Sequence, residues 1–250
     1  MQITNTMKLH VLGCGDAFGS GGRNQSAYLV ETQDRLFLLD CGPSTLLALK
    51  RAGFDPRRLD AIFLSHLHGD HYGGVPFFLL DALYENPRER PLHVAGPEGT
   101  EERVRGLLGL MFGDPSEQRE LPPTTFHLLQ HQRQKNIEGI QILPFRVPHQ
   151  VNAVSLGLKI GYEGKQILFS GDSAWTDLFI TYSQGVDLFI CESTFFEEAP
   201  PNHMSYKTIM ENLPRLGCKN IILTHMGKEM LARRDKVKIN TAEDGMVVEV

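Results

Sequence analysis

No run of the 250 residues is long and apolar enough to span a bilayer. Residues 1–13 contain no apolar stretch of signal-peptide length. The expectation is a cytoplasmic protein that meets no membrane. Cysteine is scarce: Cys14, Cys41, Cys191 and Cys218 stand far apart and form no C-x-x-C pair. That spacing argues against a structural zinc knuckle and suits free thiols in a reducing compartment. Positive charge is not in excess, with 25 Lys and Arg against 30 Asp and Glu and a formal charge of −5. Composition therefore gives no global attraction to nucleic acid, although it leaves room for a local basic patch. Internal repeats, low-complexity stretches and obvious linkers are missing too.

What is present is a series of short apolar runs, each closed by a polar or glycine-rich turn. Runs of β type are Lys8–Gly13, Ala27–Glu31, Arg35–Asp40, Ala61–Ser65, Leu92–Ala95, Ile140–Val147, Ser155–Ile160, Gln166–Ser170, Leu188–Cys191, Asn220–Thr224 and Met246–Val250. Helical spacing appears at Ser44–Arg51, Val75–Tyr84, Thr100–Leu110 and Tyr206–Leu216, with Ser44 placed to cap the first. Strands and helices mixed along the chain predict a layered α/β or α+β fold, read as one domain over residues 1–250.

One regularity bears on function. Asp40 follows RLFLL, His66 follows AIFLS, His149 follows ILPFRVP, Asp172 follows ILFSG, Glu192 follows LFIC and His225 follows IILT. Ligands of layered α/β folds collect at the carboxyl ends of strands, where the loops share one edge. Six such ends carrying a coordinating or ionisable group predict an active site on that edge. Within it, the stretch Ser65–His71 (SHLHGDH) packs four candidate metal ligands, His66, His68, Asp70 and His71, into six positions. In an extended segment His66 and His68 point the same way and can chelate one cation. Gly69 is expected to let the backbone turn, so that Asp70 and His71 face a second site. An isolated histidine is ordinarily a surface or core residue. Clustered imidazoles and a carboxylate behind a buried strand are costly without a cation to share. Imidazole and carboxylate are donors that zinc accepts, and such mixed sites also take manganese.

These motifs resemble the metallo-β-lactamase superfamily, and within it ribonuclease Z and related phosphodiesterases. The resemblance rests on Leu12–Val30, Leu38–Gly42, Ile62–Val75 (IFLSHLHGDHYGGV), Gly96–Gly99, Phe169–Ser173 (FSGDS), Glu192–Phe195 (ESTF) and Ile222–His225 (ILTH). It implies a four-layer αβ/βα sandwich with a dinuclear metal site at one edge of the sheets. It also implies that His66, His68 and His149 hold one cation and that Asp70, His71 and His225 hold another. Asp172 is implied as the bridging carboxylate and Asp40 as the acid that orients the histidines.

The activity expected from that resemblance is hydrolysis of a phosphodiester by a hydroxide held between two cations, zinc foremost. Asp70 would orient the nucleophile, and Glu192 with His203 would supply the leaving-group proton. Two departures matter: Cys191 stands where the family has a histidine beside Glu192, and Gln150–Gly171 reads only as strand, turn, strand. That interval leaves no space for the tRNA-gripping arm of longer relatives. A small or cyclic phosphodiester is therefore expected over precursor tRNA, with tRNA 3′ processing and lactonase or thioesterase chemistry as the alternatives. The resemblance is compatible with a homodimer. Arg23 and Ser26, in a glycine-rich loop, are candidate phosphate contacts. His10, His93, His127 and His131 read as structural or solvated, Arg233–Lys236 as a solvated basic run, and Trp175 as a packing or pocket-lining residue.

Overall fold

The computed structural model describes residues 6–113 and 121–250. The first seven-stranded sheet contains β1 (Lys8–Gly13), β2 (Ala27–Glu31), β3 (Leu36–Leu39), β4 (Ala61–Phe63), β5 (Leu92–Gly96), β6 (Thr124–Leu128) and β14 (Val247–Glu249). Its spatial order is β14-β1-β2-β3-β4-β5-β6. The second contains β7 (Lys135–Ile137), β8 (Ile140–Arg146), β9 (Leu156–Tyr162), β10 (Lys165–Phe169), β11 (Leu188–Glu192), β12 (Asn220–Thr224) and β13 (Asn240–Thr241). These run β13-β12-β11-β10-β9-β8-β7.

Alternation along fully apolar strands explains the layering. In β3, Phe37 and Leu39 face the core between the sheets, while Leu36 and Leu38 face the opposite way. The second set meets Leu49 of α1 (Thr45–Arg51), Val75, Phe78 and Leu79 of α3 (Val75–Tyr84), and Val104 and Leu108 of α4 (Thr100–Phe112). The second sheet mirrors this. Ile167 and Phe169 of β10 join the central core, while Leu168 packs outward with Phe179 of α5 (Leu178–Ser183) and Ile209 of α6 (Tyr206–Asn212). Helix, sheet, sheet, helix is the four-layer sandwich that the resemblance implied.

Strands β3 to β6 are parallel, as are β10 to β13. Because β9 is antiparallel to both β8 and β10, β8 ends on the same side as β10. The two sheets are joined at that edge. The Leu156 amide donates to the Ser65 carbonyl at 2.9 Å, the His225 amide donates to the Cys14 carbonyl at 3.0 Å, and Tyr28 and Thr224 share a hydroxyl hydrogen bond of 2.5 Å.

Most apolar runs form the expected elements within a residue or two. Three expectations are corrected. Gly69 opens a short helix, α2 (Gly69–Tyr72), with an ordinary helical backbone, so the turn comes from helix initiation and not from glycine's freedom. Ser44 precedes α1 without a side-chain cap; its hydroxyl donates to Gln25 Oε1 instead. The helix expected to reach Leu216 stops at Asn212, where Pro214 forces a 3₁₀ turn over Leu213–Arg215.

Candidate metal centre

Three groups of donor atoms meet at the shared edge, each within 4.8 Å: His66, His68 and His149; Asp70, His71, Asp172 and His225; and Asp172, Glu192, His203 and His225. Every strand-end residue expected at the site arrives there except Asp40, which stands one step behind. The short helix α2 carries Asp70 and His71, and His66 follows β4. Residues from α2 and β4 of the first sheet thus face His149, Asp172, Glu192 and His225 from the second.

The separations are those of atoms that share a charge. His149 Nε2 lies 3.1 Å from His68 Nδ1, and His71 Nε2 lies 3.2 Å from Asp70 Oδ2 and 3.3 Å from Asp172 Oδ2. His225 Nε2 stands 3.4 Å from both of those carboxylates, and His149 Nε2 is 3.9 Å from Asp172. The Asp172 carboxylate therefore sits between the two histidine groups.

The hydrogen bonds behind these rings assign their tautomers. His71 Nδ1 donates to Asp40 Oδ2 at 2.7 Å, and His149 Nδ1 donates to the Asn202 carbonyl at 2.8 Å. The Ser65 hydroxyl has one hydrogen and gives it to Asp40 Oδ2 at 2.8 Å, so it accepts from His66 Nδ1 at 3.0 Å. The Thr194 hydroxyl gives its hydrogen to Glu192 Oε1 at 2.7 Å, so it accepts from His225 Nδ1 at 3.1 Å. All four rings thus keep the proton on Nδ1 and turn the lone pair of Nε2 inward. The buried Nε2 atoms of His66 and His71 have no hydrogen-bond partner among the described residues. An orphaned buried nitrogen is costly unless something of opposite demand satisfies it. A divalent cation meets that demand, and the donor set fits one.

The electrostatics show where the cluster demands positive charge. Burial pushes His66 well below the ordinary imidazole range. Burial acts the same way on His71, but the carboxylates of Asp172, Asp40 and Asp70 outweigh it and hold that ring well above the range. Burial raises Asp172, yet His225, His71 and His66 bring it well below the usual carboxylate value. Glu192 is raised by burial, and its carboxylate accepts from His203 Nδ1 in a short hydrogen bond and from the Ser173 amide at 2.5 Å. Two of the five non-glycine residues with positive φ among the described residues fall here: Asp40 and His225 have φ of 56° and 55°, in the left-handed region that non-glycine residues avoid.

Several residues stay outside. Ser26 is closed off at 1% exposure, and its carbonyl accepts from the Gly42 amide. Arg23 has its Nη1 buried without a partner among the described residues. Arg233 pairs with Glu229 at 3.3 Å, and Arg234 pairs with Glu243, so two of the three cations of the basic run are neutralised in place. His10 pairs with Glu31, His93 with His127, and His131 accepts from the Arg146 amide. Trp175 packs edge-on against Phe179 and donates to Asp177. The sequence reading gave no role to Ser65, Thr194 or Asn202. Their types carry no metal-ligand signal, and only proximity to a ring nitrogen reveals them.

Fold and site together define a metallo-β-lactamase-fold, metal-binding hydrolase of the ribonuclease Z-like group. Ribonuclease Z of Pyrococcus abyssi is 26% identical over 267 residues, covering 86% of this chain and 85% of the relative. The fold of YhfI from Bacillus subtilis superposes with a TM-score of 0.77 at 22% identity, over 99% of this chain and 100% of that one. The short form of human tRNase Z gives 0.78 at 22% identity, over 96% and 98%. The family described as "Anti-Pycsar protein Apyc1" matches residues 7–247, and the chain belongs to it.

Proposed function

We infer that this metal-dependent phosphodiesterase of the ribonuclease Z-like group hydrolyses small or cyclic phosphodiesters in preference to precursor tRNA. One observation carries the reading of the centre: four imidazoles each commit Nδ1 to a partner behind them and leave Nε2 for the donor cluster. His66, His68 and His149 would hold one cation, and Asp70, His71 and His225 another, with Asp172 shared. Zinc suits that donor set best, and manganese is accommodated. Bound cations would supply positive charge to the phosphoryl oxygens and acidify water.

The chain's own groups do the rest. The Asp70 carboxylate orients the attacking water by accepting a hydrogen bond. As the new P–O bond forms and the leaving P–O bond breaks, His203 delivers a proton to the departing oxygen. Its Nδ1 is held by Glu192, which leaves Nε2 for that transfer. The rings of His149 and His203 lie 4.9 Å apart, so the proton donor stands against the cluster. A leaving alkoxide needs such a donor; a thiolate needs it far less, which favours phosphodiesters over thioesters.

The preference for small substrates follows from Gln150–Gly171, which forms β9, a tight turn and β10 with no inserted arm. Residues 1–250 act as one domain in this reading, because both sheets contribute to one core and one site. The four unpaired cysteines suit a reducing cytoplasm. No helix among the described residues is long and apolar enough to cross a membrane. A homodimer belongs to the proposal as well, on the family resemblance, and sedimentation velocity tests it.

The deciding experiment is metal analysis of the purified protein, followed by bis-p-nitrophenyl phosphate, 2′,3′- and 3′,5′-cyclic nucleotides, precursor tRNA, lactones and thioesters. Turnover of cyclic phosphodiesters without precursor tRNA is expected. Hydrolysis confined to lactones or thioesters overturns the reading.

A further inference from the structure

The chain's final crossing between the sheets lies within two hydrogen bonds of His225. Thr241 of β13 pairs with Leu223 of β12 in the second sheet, and Val247 of β14 pairs with His10 of β1 in the first. Residues 242–246 make the crossing and are fastened along it. The Ala242 amide donates to the Leu223 carbonyl at 2.7 Å, the Gly245 amide to the Val11 carbonyl at 2.8 Å, and the Val11 amide to the Met246 carbonyl at 2.9 Å.

Asp244 stands in the middle of this crossing, and its carboxylate grips the residue that follows β1. Oδ1 accepts from the Cys14 amide at 3.0 Å, and Oδ2 accepts from the Asn24 amide at 2.7 Å. Cys14 is buried, so its amide has no water to turn to if that oxygen is lost. One carboxylate thereby holds both ends of the loop from Cys14 to Asn24. The same strip of backbone carries the metal centre on its other side. The Cys14 carbonyl accepts from the His225 amide at 3.0 Å, and Gly15 bridges Gln25 on one flank and Met226 on the other.

His225 needs such support. Its φ of 55° is left-handed, a conformation that a non-glycine residue keeps only where its surroundings over-determine it. Thr194 fixes Nδ1 of the ring, but the backbone sets where the ring stands.

Resting on the two-cation reading, we propose that Asp244 is a positioning residue for His225, acting through the backbone of Cys14. The carboxylate fixes the Cys14 amide, the Cys14 carbonyl fixes the His225 amide, and Nε2 of His225 is thereby held beside Asp70 and Asp172. His66 and His149 are held by Ser65 and Asn202 instead, so the effect falls on one cation and not on both.

Chelator competition on the zinc-loaded protein reads the affinity of each of the two equivalents. Asp244→Ala should weaken the equivalent that His225→Ala loses by roughly three- to thirtyfold, less than the loss of a direct partner of a ligand, and leave the other within about twofold. Asp244→Asn keeps one acceptor oxygen and should fall between wild type and Asp244→Ala; it carries the same comparison if Asp244→Ala does not fold. Glu243→Ala removes only the neighbouring ion pair with Arg234 and should leave both affinities unchanged. A merely structural role would lower the melting temperature under excess chelator without separating the two equivalents. Wild-type affinity for both equivalents in the Asp244 variants, or an equal loss from both, overturns the relay. A wild type that takes fewer than two zinc ions overturns the two-cation reading before it.

Discussion

Asp40 shows how much one side chain can decide without touching the reacting atoms. Its two oxygens accept from the Ser65 amide, the Ser65 hydroxyl and His71 Nδ1. Through that one carboxylate, two of the imidazoles are held in the tautomer that frees Nε2. Thr194 does the same for His225 by passing its hydrogen to Glu192. Thr194→Val should therefore weaken metal binding by about ten- to a hundredfold, with Thr194→Ser retaining it, measured by competition against a chromogenic chelator. His203 belongs to a different step. His203→Ala should lower turnover of a poor-leaving-group phosphodiester by roughly 10²–10⁴ while metal content stays constant. Equal turnover, or lost metal, contradicts the role assigned to it.

Strand ends set the positions of these groups, so strand geometry limits what can be substituted there. Gly171 joins β10 to Asp172 with φ of 58°, and a Cβ built on it would lie 2.8 Å from that of Ser65. Gly171→Ala should cost about 1–3 kcal/mol in chemical denaturation, from strain and overlap together. At the opposite end of the second sheet, Asp187 accepts from the Gln166 amide at 2.8 Å and from Lys219 at 2.7 Å. Burial raises its carboxyl, but those donors prevail and hold it below the ordinary value of 3.8. A depressed folded pKa stabilises the protein fully above the unfolded value, and that stabilisation disappears as pH falls through the folded one. Asp187→Asn should thus destabilise the protein at pH 7 by about 0.5–1.5 kcal/mol, and the difference should shrink as pH falls below 3.8. A difference that persists in acid would show that the charge is not responsible.

At the scale of the whole molecule, the donor cluster lies between two sheets that meet face to face. A cation held by His66, His68 and His149 would tie one sheet to the other, and one held by Asp70, His71 and His225 would join residues 155 positions apart, from Asp70 to His225. Ligands that bind only the folded state stabilise it by about 1.4 kcal/mol for each tenfold excess over Kd. Chelation should therefore lower the melting temperature by several degrees, and added zinc should restore it. A melting temperature indifferent to chelator would show that the centre does not take a cation in the folded protein.

The strands were legible because apolar runs closed by turns follow from local chemistry, and β3, β4 and β10 lie where those runs lie. Four of the seven metal-ligand candidates, His66, His149, Asp172 and His225, were legible for a similar reason, while His68, Asp70 and His71 stood out by their spacing in Ser65–His71. Imidazole and carboxylate at successive strand ends form a pattern along the chain that needs no third dimension. The weaker elements escaped: β6 and β7 are half-polar edge segments, and α7 (Lys228–Ala232) is a single turn and a half whose existence depends on what it packs against. Sequence alone therefore determined the layered class and the clustering of the candidate donor residues at one edge. Tertiary structure alone decided which nitrogen of each ring carries its proton, because Ser65, Thr194 and Asn202 act only through distance. It also decided that Asp244 stands behind Cys14, because two residues 230 positions apart meet only through the fold.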